Sequence, residues 1–229
     1  TEIDLKNGPV VVEIPGPVLG ILDDAFFRYV SDIGLAGPDQ GKGGKYLIIG
    51  PDYEGDTPEG YFVAKSTTYR QWLLMRVFVK DGDLEGSVKE LKEGFRCYPL
   101  AQADNPPKQK VVNLSGVKFN TIHANDEHFY EELNAVIQYE PADAFNPELV
   151  GLFASIGIKK GEPFAPDARM KKILKDAAAI GNASARSLVF RPRDAAVYFY
   201  PDRRWYTSFI GGHDFMDNGE MKIDGRSIF

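Results

Sequence analysis

An arginine stands inside the apolar run WLLMRVFV, residues 72–79. A guanidinium taken out of water must find hydrogen-bond partners, or its desolvation is very costly. Asp32 and Glu13 are carboxylates that could meet Arg76. On a helix, Arg76 would share a face with Tyr69, Trp72 and Leu73. An arginine framed by Tyr69 and Trp72 suits a carboxylate or sugar ligand, because its planar fork binds oxygen pairs. A structural ion pair accounts for the same residues more simply.

The stretch GKGGKYLIIGPDYEGDTPEG, residues 41–60, invites a phosphate or calcium reading. A phosphate loop needs a glycine-lysine-serine or -threonine sequence leading into a helix. Here Gly44-Lys45 leads to Tyr46 and an apolar strand, and a dinucleotide fingerprint would also need a helix to follow. Asp52, Glu54 and Asp56 alternate as calcium ligands might, yet Pro51, Pro58 and Gly60 explain the segment as two turns. His123 and His128 are five apart and do not share a helix face as an i, i+4 metal pair would. HDFMDNGE, residues 213–220, lacks the ligand spacing of a calcium loop and reads as a hairpin turning at Asn218-Gly219. No Ser-His-Asp or Cys-His order can be picked out, and Cys97 reads as a small core residue. No metal and no cofactor are expected.

The 229 residues are 43% hydrophobic and 26% charged, as in globular proteins, with a net charge of −6. An acidic chain with scattered lysines and arginines argues against nucleic acid. One cysteine excludes an intrachain disulfide. No apolar run approaches a membrane span, and no signal peptide is visible.

The elements that would position these residues begin as strands. GPVVVEIPGP (8–17), AFFRYVSDIG (25–34), KYLIIG (45–50) and GYFVAKS (60–66) are spaced like an antiparallel meander or sandwich. Alternation in the second of these places Phe27, Tyr29 and Ile33 inward. TYRQWLLMRVFVKDG (68–82) is apolar nearly all round, which favours a buried helix and leaves a strand open. DLEGSVKELKEGFR (83–96) predicts a helix capped by Asp83, with Leu84, Val88, Leu91 and Phe95 as its buried stripe. After a loop at 99–110 comes a strand pair or extended arm at 110–122. Helices follow at 125–141 with Asn125 as cap, at 146–157 with Asn146 as cap, and at 167–190 with Gly181 as an end or kink. In the last of these Met170, Ile173, Leu174 and Ala177 share a face. Strand character returns at 195–212. The reading is an α+β chain: a β-rich sandwich domain over 1–98 with helices at 68–96, an extended loop plus helical segment over 99–190, and the start of a second β domain over 191–229.

The motifs GPVVVEIPGPVLGILDDAFFRYVSDIGLAGP, GKGGKYLIIGPDYEGDTPEGYFV, FNTIHANDEHFYEELNAVIQ, PFAPDARMKKIL and YPDRRWYTSFIGG occur in an order that resembles bacterial proteins of the domain-of-unknown-function family 1254. The resemblance spans nearly the whole chain. It implies a secreted or periplasmic protein of about twice this length, with a family 1214 domain downstream and two jelly-roll-like sandwiches separated by helices. On that reading the present chain is cut at both ends, and "MKIDGRSIF" begins a strand entering the second domain. Its partner would be the remainder of its own polypeptide or a homo-oligomer. The family has no agreed reaction, so no catalytic residue is transferred. Two functions remain. One is a binding or assembly module for a partner, glycan or small molecule; the other is a hydrolase or lyase acting on a saccharide or other envelope substrate. Arg76, Asp32, Tyr46, Tyr69 and Trp72 are the candidate substrate-binding residues.

Overall fold

The computed structural model describes residues 1–212 and 215–227. They form two compact units: one of residues 1–119 and 139–145, the other of residues 120–138 and 146 onward. The fold is mixed α+β, with two packed four-stranded sheets first and a helical region after them. Among the described residues no sheet closes into a barrel.

The first unit is built from β1 (Glu2–Asp4), β2 (Val10–Ile14), β3 (Val18–Asp24), β4 (Tyr29–Gly34), β5 (Gly44–Ile49), β6 (Phe62–Lys65), β7 (Arg70–Val77), α1 (Leu84–Gly94) and β8 (Arg96–Pro99). One sheet has the order β1-β7-β3-β4, the other β6-β5-β2-β8. Alternate residues of both sheets make one core: Ile3, Val18, Leu22, Ile33 and Leu73 from the first, Val12, Ile14, Tyr46, Ile48 and Ala64 from the second. The other face of the second sheet is also covered. There Val11, Leu47, Ile49 and Tyr98 pack with Tyr53, Tyr61 and Leu100. The outer face of the first sheet, by contrast, stays partly open.

Several expectations are corrected. Residues 70–77 form a strand, not a helix, with Gln71 and Leu73 buried and Leu74 and Arg76 exposed. The pair β5–β6 is parallel, so the N-terminal strands are not a simple antiparallel meander. Where β3 pairs with β4, the register shifts between Leu22 and Asp23 of β3, so that Leu22 faces Ser31, Asp23 faces Tyr29 and Val30 of β4 is the extra residue. This β-bulge breaks the alternation. Ile33 is in the core and Val30 packs against it, whereas Tyr29 lies on the outer face and Phe27 is exposed in the preceding turn. Along α1, the stripe is buried only toward its end: Leu84 and Val88 are exposed, and Phe95 reaches the core. Asp83 caps it as read, accepting from Gly86 N.

The glycine-rich stretch has a structural explanation. Buried Asp39 accepts from Gly34 N at 2.8 Å, Gly43 N at 3.0 Å and the Tyr46 hydroxyl. Gly34 has φ +83°, and a Cβ there would lie 2.0 Å from the Val18 carbonyl oxygen. Only glycine fits so close a backbone approach.

The second unit contains α2 (Phe129–Tyr139, its last residue counted with the first unit), α3 (Pro147–Ser155), α4 (Ala168–Phe190), the two-residue strands β9 (Met216–Asp217) and β10 (Glu220–Met221), and α5 (Ile223–Arg226). The caps of α3 and α4 are Asn146 and Asp167, each accepting a backbone N–H three residues on. α2 starts at Phe129 rather than beside Asn125, since Asp126 accepts from His128 N in a local turn instead. Gly181 neither ends nor kinks α4 out of helix. Of the face read on α4, Leu174 is buried and Ile173 is exposed. Residues 195–212 give one short 3₁₀ turn and a Tyr198–Tyr206 bridge rather than full strands. The hairpin at Asn218-Gly219 is present, both residues having positive φ as a type I′ turn requires. His213 and Asp214, which begin that stretch, and Ile228 and Phe229 lie outside the described residues. After Met221, which ends β10, the expected strand is replaced by the helical turn α5. Asp224 there accepts from Arg193 N at 2.6 Å and Arg193 Nε at 2.9 Å, which holds the chain folded back.

Candidate functional site

The five residues singled out in the sequence fall in three places. Tyr46 is in the sandwich core, 1% exposed, with its hydroxyl on Asp39. Burial, with that hydrogen bond, raises its pKa. It is out of reach of any ligand at the surface.

Tyr69 precedes β7 and belongs to a cluster of rings and charges. Its hydroxyl donates to Asp52, which pushes its pKa up to about 12. Tyr139 meets it edge-on at 6.1 Å and donates to Asp4. Lys6 Nζ lies 4.4 Å and the Arg70 guanidinium 4.3 Å from the centre of the Tyr139 ring, both within cation–π range. Beneath them Glu140 is 1% exposed and accepts from Tyr69 N at 2.6 Å and Arg70 N at 3.2 Å. Burial raises the pKa of Glu140. Its carboxylate is committed to the backbone at the start of β7.

Asp32, Trp72 and Arg76 come together on the outer face of the first sheet. The register makes this unavoidable: Trp72 lies opposite Asp23, Leu74 opposite Ile21, Arg76 opposite Leu19, and Asp32 opposite Ile21 from the other side. Directly opposed residues share a face, so these side chains line one surface. The turn at 25–28 adds to it. Asp24, 3% exposed, accepts from Phe26 N at 2.8 Å, Arg28 N at 2.9 Å and Arg28 Nε at 2.6 Å. Arg28 reaches on to the Ala144 carbonyl at 3.0 Å. The turn so fixed holds Phe27 at φ +59° and stacks its ring on Trp72, 4.7 Å between centres and 28° between planes. Tyr29 donates to Asp32 Oδ2 at 3.2 Å. Burial, with Asp32 and Asp23 close by, raises its pKa and keeps the hydroxyl a donor.

Arg76 is exposed rather than buried, and it makes no ion pair among the described residues. Glu13, considered as its partner, lies in the other sheet with Tyr98, Lys45 at 3.4 Å and Arg96 at 3.9 Å. The face therefore offers a stacked aromatic pair, an aliphatic floor of Leu19, Ile21 and Leu74, a free guanidinium, and a carboxylate oriented by a tyrosine. Such a surface can stack on one side of a ring and hydrogen-bond its substituents. Phe27 and Tyr29 were missed as site residues because period-2 counting sent both inward; the bulge carries no clear mark in the sequence. Among the described residues, no group of three or more His, Cys, Asp or Glu is arranged to hold a metal ion.

Residues 1–99 match the family model described as "Protein of unknown function (DUF1254)". This stretch is a DUF1254 domain. It contains both sheets and the whole of the face just described. The chain is also similar in fold to the crystal structure of the VPA0106 protein from Vibrio parahaemolyticus, with a TM-score of 0.65 and 15% identity. The match covers 99% of this chain and 53% of that one, so the chain spans about half the length of VPA0106. At that identity the likeness speaks for the fold alone. No curated protein matches the chain.

Proposed function

We propose that the DUF1254 domain is a binding module that meets a glycan or similar ring-bearing ligand on the outer face of its first sheet. The observation that carries this reading is the Phe27–Trp72 stack on an open sheet face that also carries Arg76 and Asp32. Exposed apolar patches rimmed by polar groups mark interaction sites. The hydrolase or lyase reading gains no comparable support. The buried carboxylate with a raised pKa, Glu140, is occupied by two backbone N–H groups.

Other parts of the proposal concern the setting. A periplasmic or secreted location rests on the family resemblance; among the described residues no helix is long and apolar enough to cross a membrane. The partner is the remainder of the same polypeptide or a second copy. Exposed Phe190, Phe199, Trp205 and Phe209 in the second unit support that reading. A jelly-roll-like first sandwich, and a second β domain beginning within 191–229, belong to the same proposal. The domain limits 1–98, 99–190 and 191–229 do so too.

The test is titration of the chain with a panel of neutral and acidic oligosaccharides, followed by calorimetry. Saturable binding is expected, and Trp72→Ala should weaken it about tenfold or more, as loss of an aromatic anchor does. Arg76→Gln should act mainly on acidic sugars. Failure of every saccharide, or equal binding by Trp72→Ala, would reject the assignment.

A further inference from the structure

The second unit holds a cleft of about 540 Å³ that the reading above does not use. Its size is that of a small-molecule site. Phe129 and Tyr130 of α2 form one wall, Gly181 and its alanine neighbours on α4 the floor, and Ile223 of α5 a further side. Gly181 stands in the middle of a 23-residue helix. Glycine is a poor helix former, so a packing reason would be expected. None is found: a Cβ at Gly181 would meet no atom within 4 Å. What the missing side chain leaves is depth in the cleft.

Some polar groups that line this cleft are engaged locally, His123 with the Ala124 carbonyl, Asp126 with His128 and Ser227 with the Ile223 carbonyl, whereas others are not. Arg186 lies four residues beyond Asn182, so the two share a helix face. Arg186 makes no ion pair and the Tyr130 hydroxyl no hydrogen bond among the described residues. One carboxylate, Asp126, lines the cleft and is engaged with His128 Nδ1 at 2.9 Å; Glu127 beside it, outside the lining, meets Lys175 at 3.6 Å. An apolar trough with a free guanidinium set among neutral hydrogen-bonding groups, its one carboxylate already paired, complements a molecule with an apolar body and an anionic head.

We propose that this cleft is a second ligand site, which takes a small amphipathic carboxylate with its tail along Gly181 and its head group on Arg186. This site is independent of the sheet face, so the two readings fail separately. The probes are decanoate and decyltrimethylammonium, equal tails with opposite heads, titrated into the 229-residue chain by calorimetry. Decanoate should bind one per chain, about tenfold or more tighter than the cation. Arg186→Gln should erase that margin, and Arg186→Lys should keep part of it. Gly181→Leu should fill the trough and lower decanoate affinity about tenfold or more, with no fall in melting temperature; Ala178→Leu is the second filling variant should the first fail to fold. Absence of saturable decanoate binding, equal affinity for the two heads, or undiminished binding by a folded filling variant would overturn the proposal.

Discussion

In the first unit, Leu22, Ile33, Leu47 and Ile48 have no exposure at all, whereas along α4 of the second unit only Leu174 is buried, and Ile180 and Phe190 are 68% and 75% exposed. α3 has no buried residue among its apolar ones, and Leu152 is 63% exposed. Two sheets can close a core by facing each other, each presenting every second side chain. A helix buries one stripe and needs other elements to cover the rest. The first unit thus has its covering surfaces within itself, and the second has apolar residues to spare. The energy lost on truncating an apolar side chain should therefore differ between the two units, and that can be measured region by region.

The chain carries one tryptophan in each unit, Trp72 and Trp205, so single-tryptophan variants report on the two separately. Leu22→Ala should cost the first unit about 2–5 kcal/mol, as core truncations do. Ile180→Ala should change the second by less than about 0.5 kcal/mol. Denaturant melts followed by fluorescence decide it. A large loss at Ile180 would mean that the second unit closes its core around that residue after all.

Buried carboxylates sharpen the contrast, because the two units hold them in opposite ways. Burial raises the pKa of Glu140 in the first, while Arg193 lowers that of Asp224 in the second. A raised carboxyl binds its proton more tightly when folded. Its contribution is therefore full below the unfolded pKa near 4.5 and is lost as pH rises through the folded value. A lowered carboxyl contributes above its unfolded value and loses that as pH falls. Glu140→Gln should flatten the decline in stability above about pH 4.5, and should itself cost about 1–3 kcal/mol by leaving one backbone N–H without an acceptor. Asp224→Asn should instead remove stability at neutral pH and weaken the acid-side loss. Melting temperatures of both variants from pH 3 to 8 check the signs; slopes of the same sign would refute the assignment.

The smallest expected effect is at a cap. Asp167→Ala removes the acceptor of Met170 N and should cost α4 about 1 kcal/mol, read from hydrogen exchange in its first turn. A loss of similar size in the first unit would show that the two do not melt separately.

Much of this architecture was legible in the sequence, for reasons that also mark its limits. β2 and β5 announce themselves by β-branched runs between prolines and glycines, and the caps Asp83 and Asn146 fix two helix starts. β7 was hidden because both of its faces carry apolar residues: Leu73 for the core, Trp72 and Leu74 for the open face. The alternation that marks a strand vanishes where a strand carries apolar residues on both faces. Of the candidate site, Asp32, Trp72 and Arg76 do share a face, but through strand register rather than helical spacing. Tyr46 misled because a tyrosine inside a core looks, in sequence, like one at a surface. Phe27 and Tyr29 could not be placed without the bulge.

The pairing of the earliest strands has a consequence for how the chain is made. Among the described residues β1 pairs only with β7, and β2 pairs with β8 as well as β5, the last residue of β8 being Pro99. At ribosomal speed, roughly 5–20 s separate the emergence of Val10 from that of its last neighbour. Throughout that interval VVVEI has at least one bare edge, and two until β5 follows, a segment well suited to pair with a second nascent chain. The proline and glycine residues on either side of it, Pro9 before and Pro15-Gly16-Pro17 after, limit how far such a stray pairing can spread. A ribosome that pauses before residue 99 would hold the domain at its most adhesive moment, and a chaperone that binds the first hundred residues would protect it through the same window.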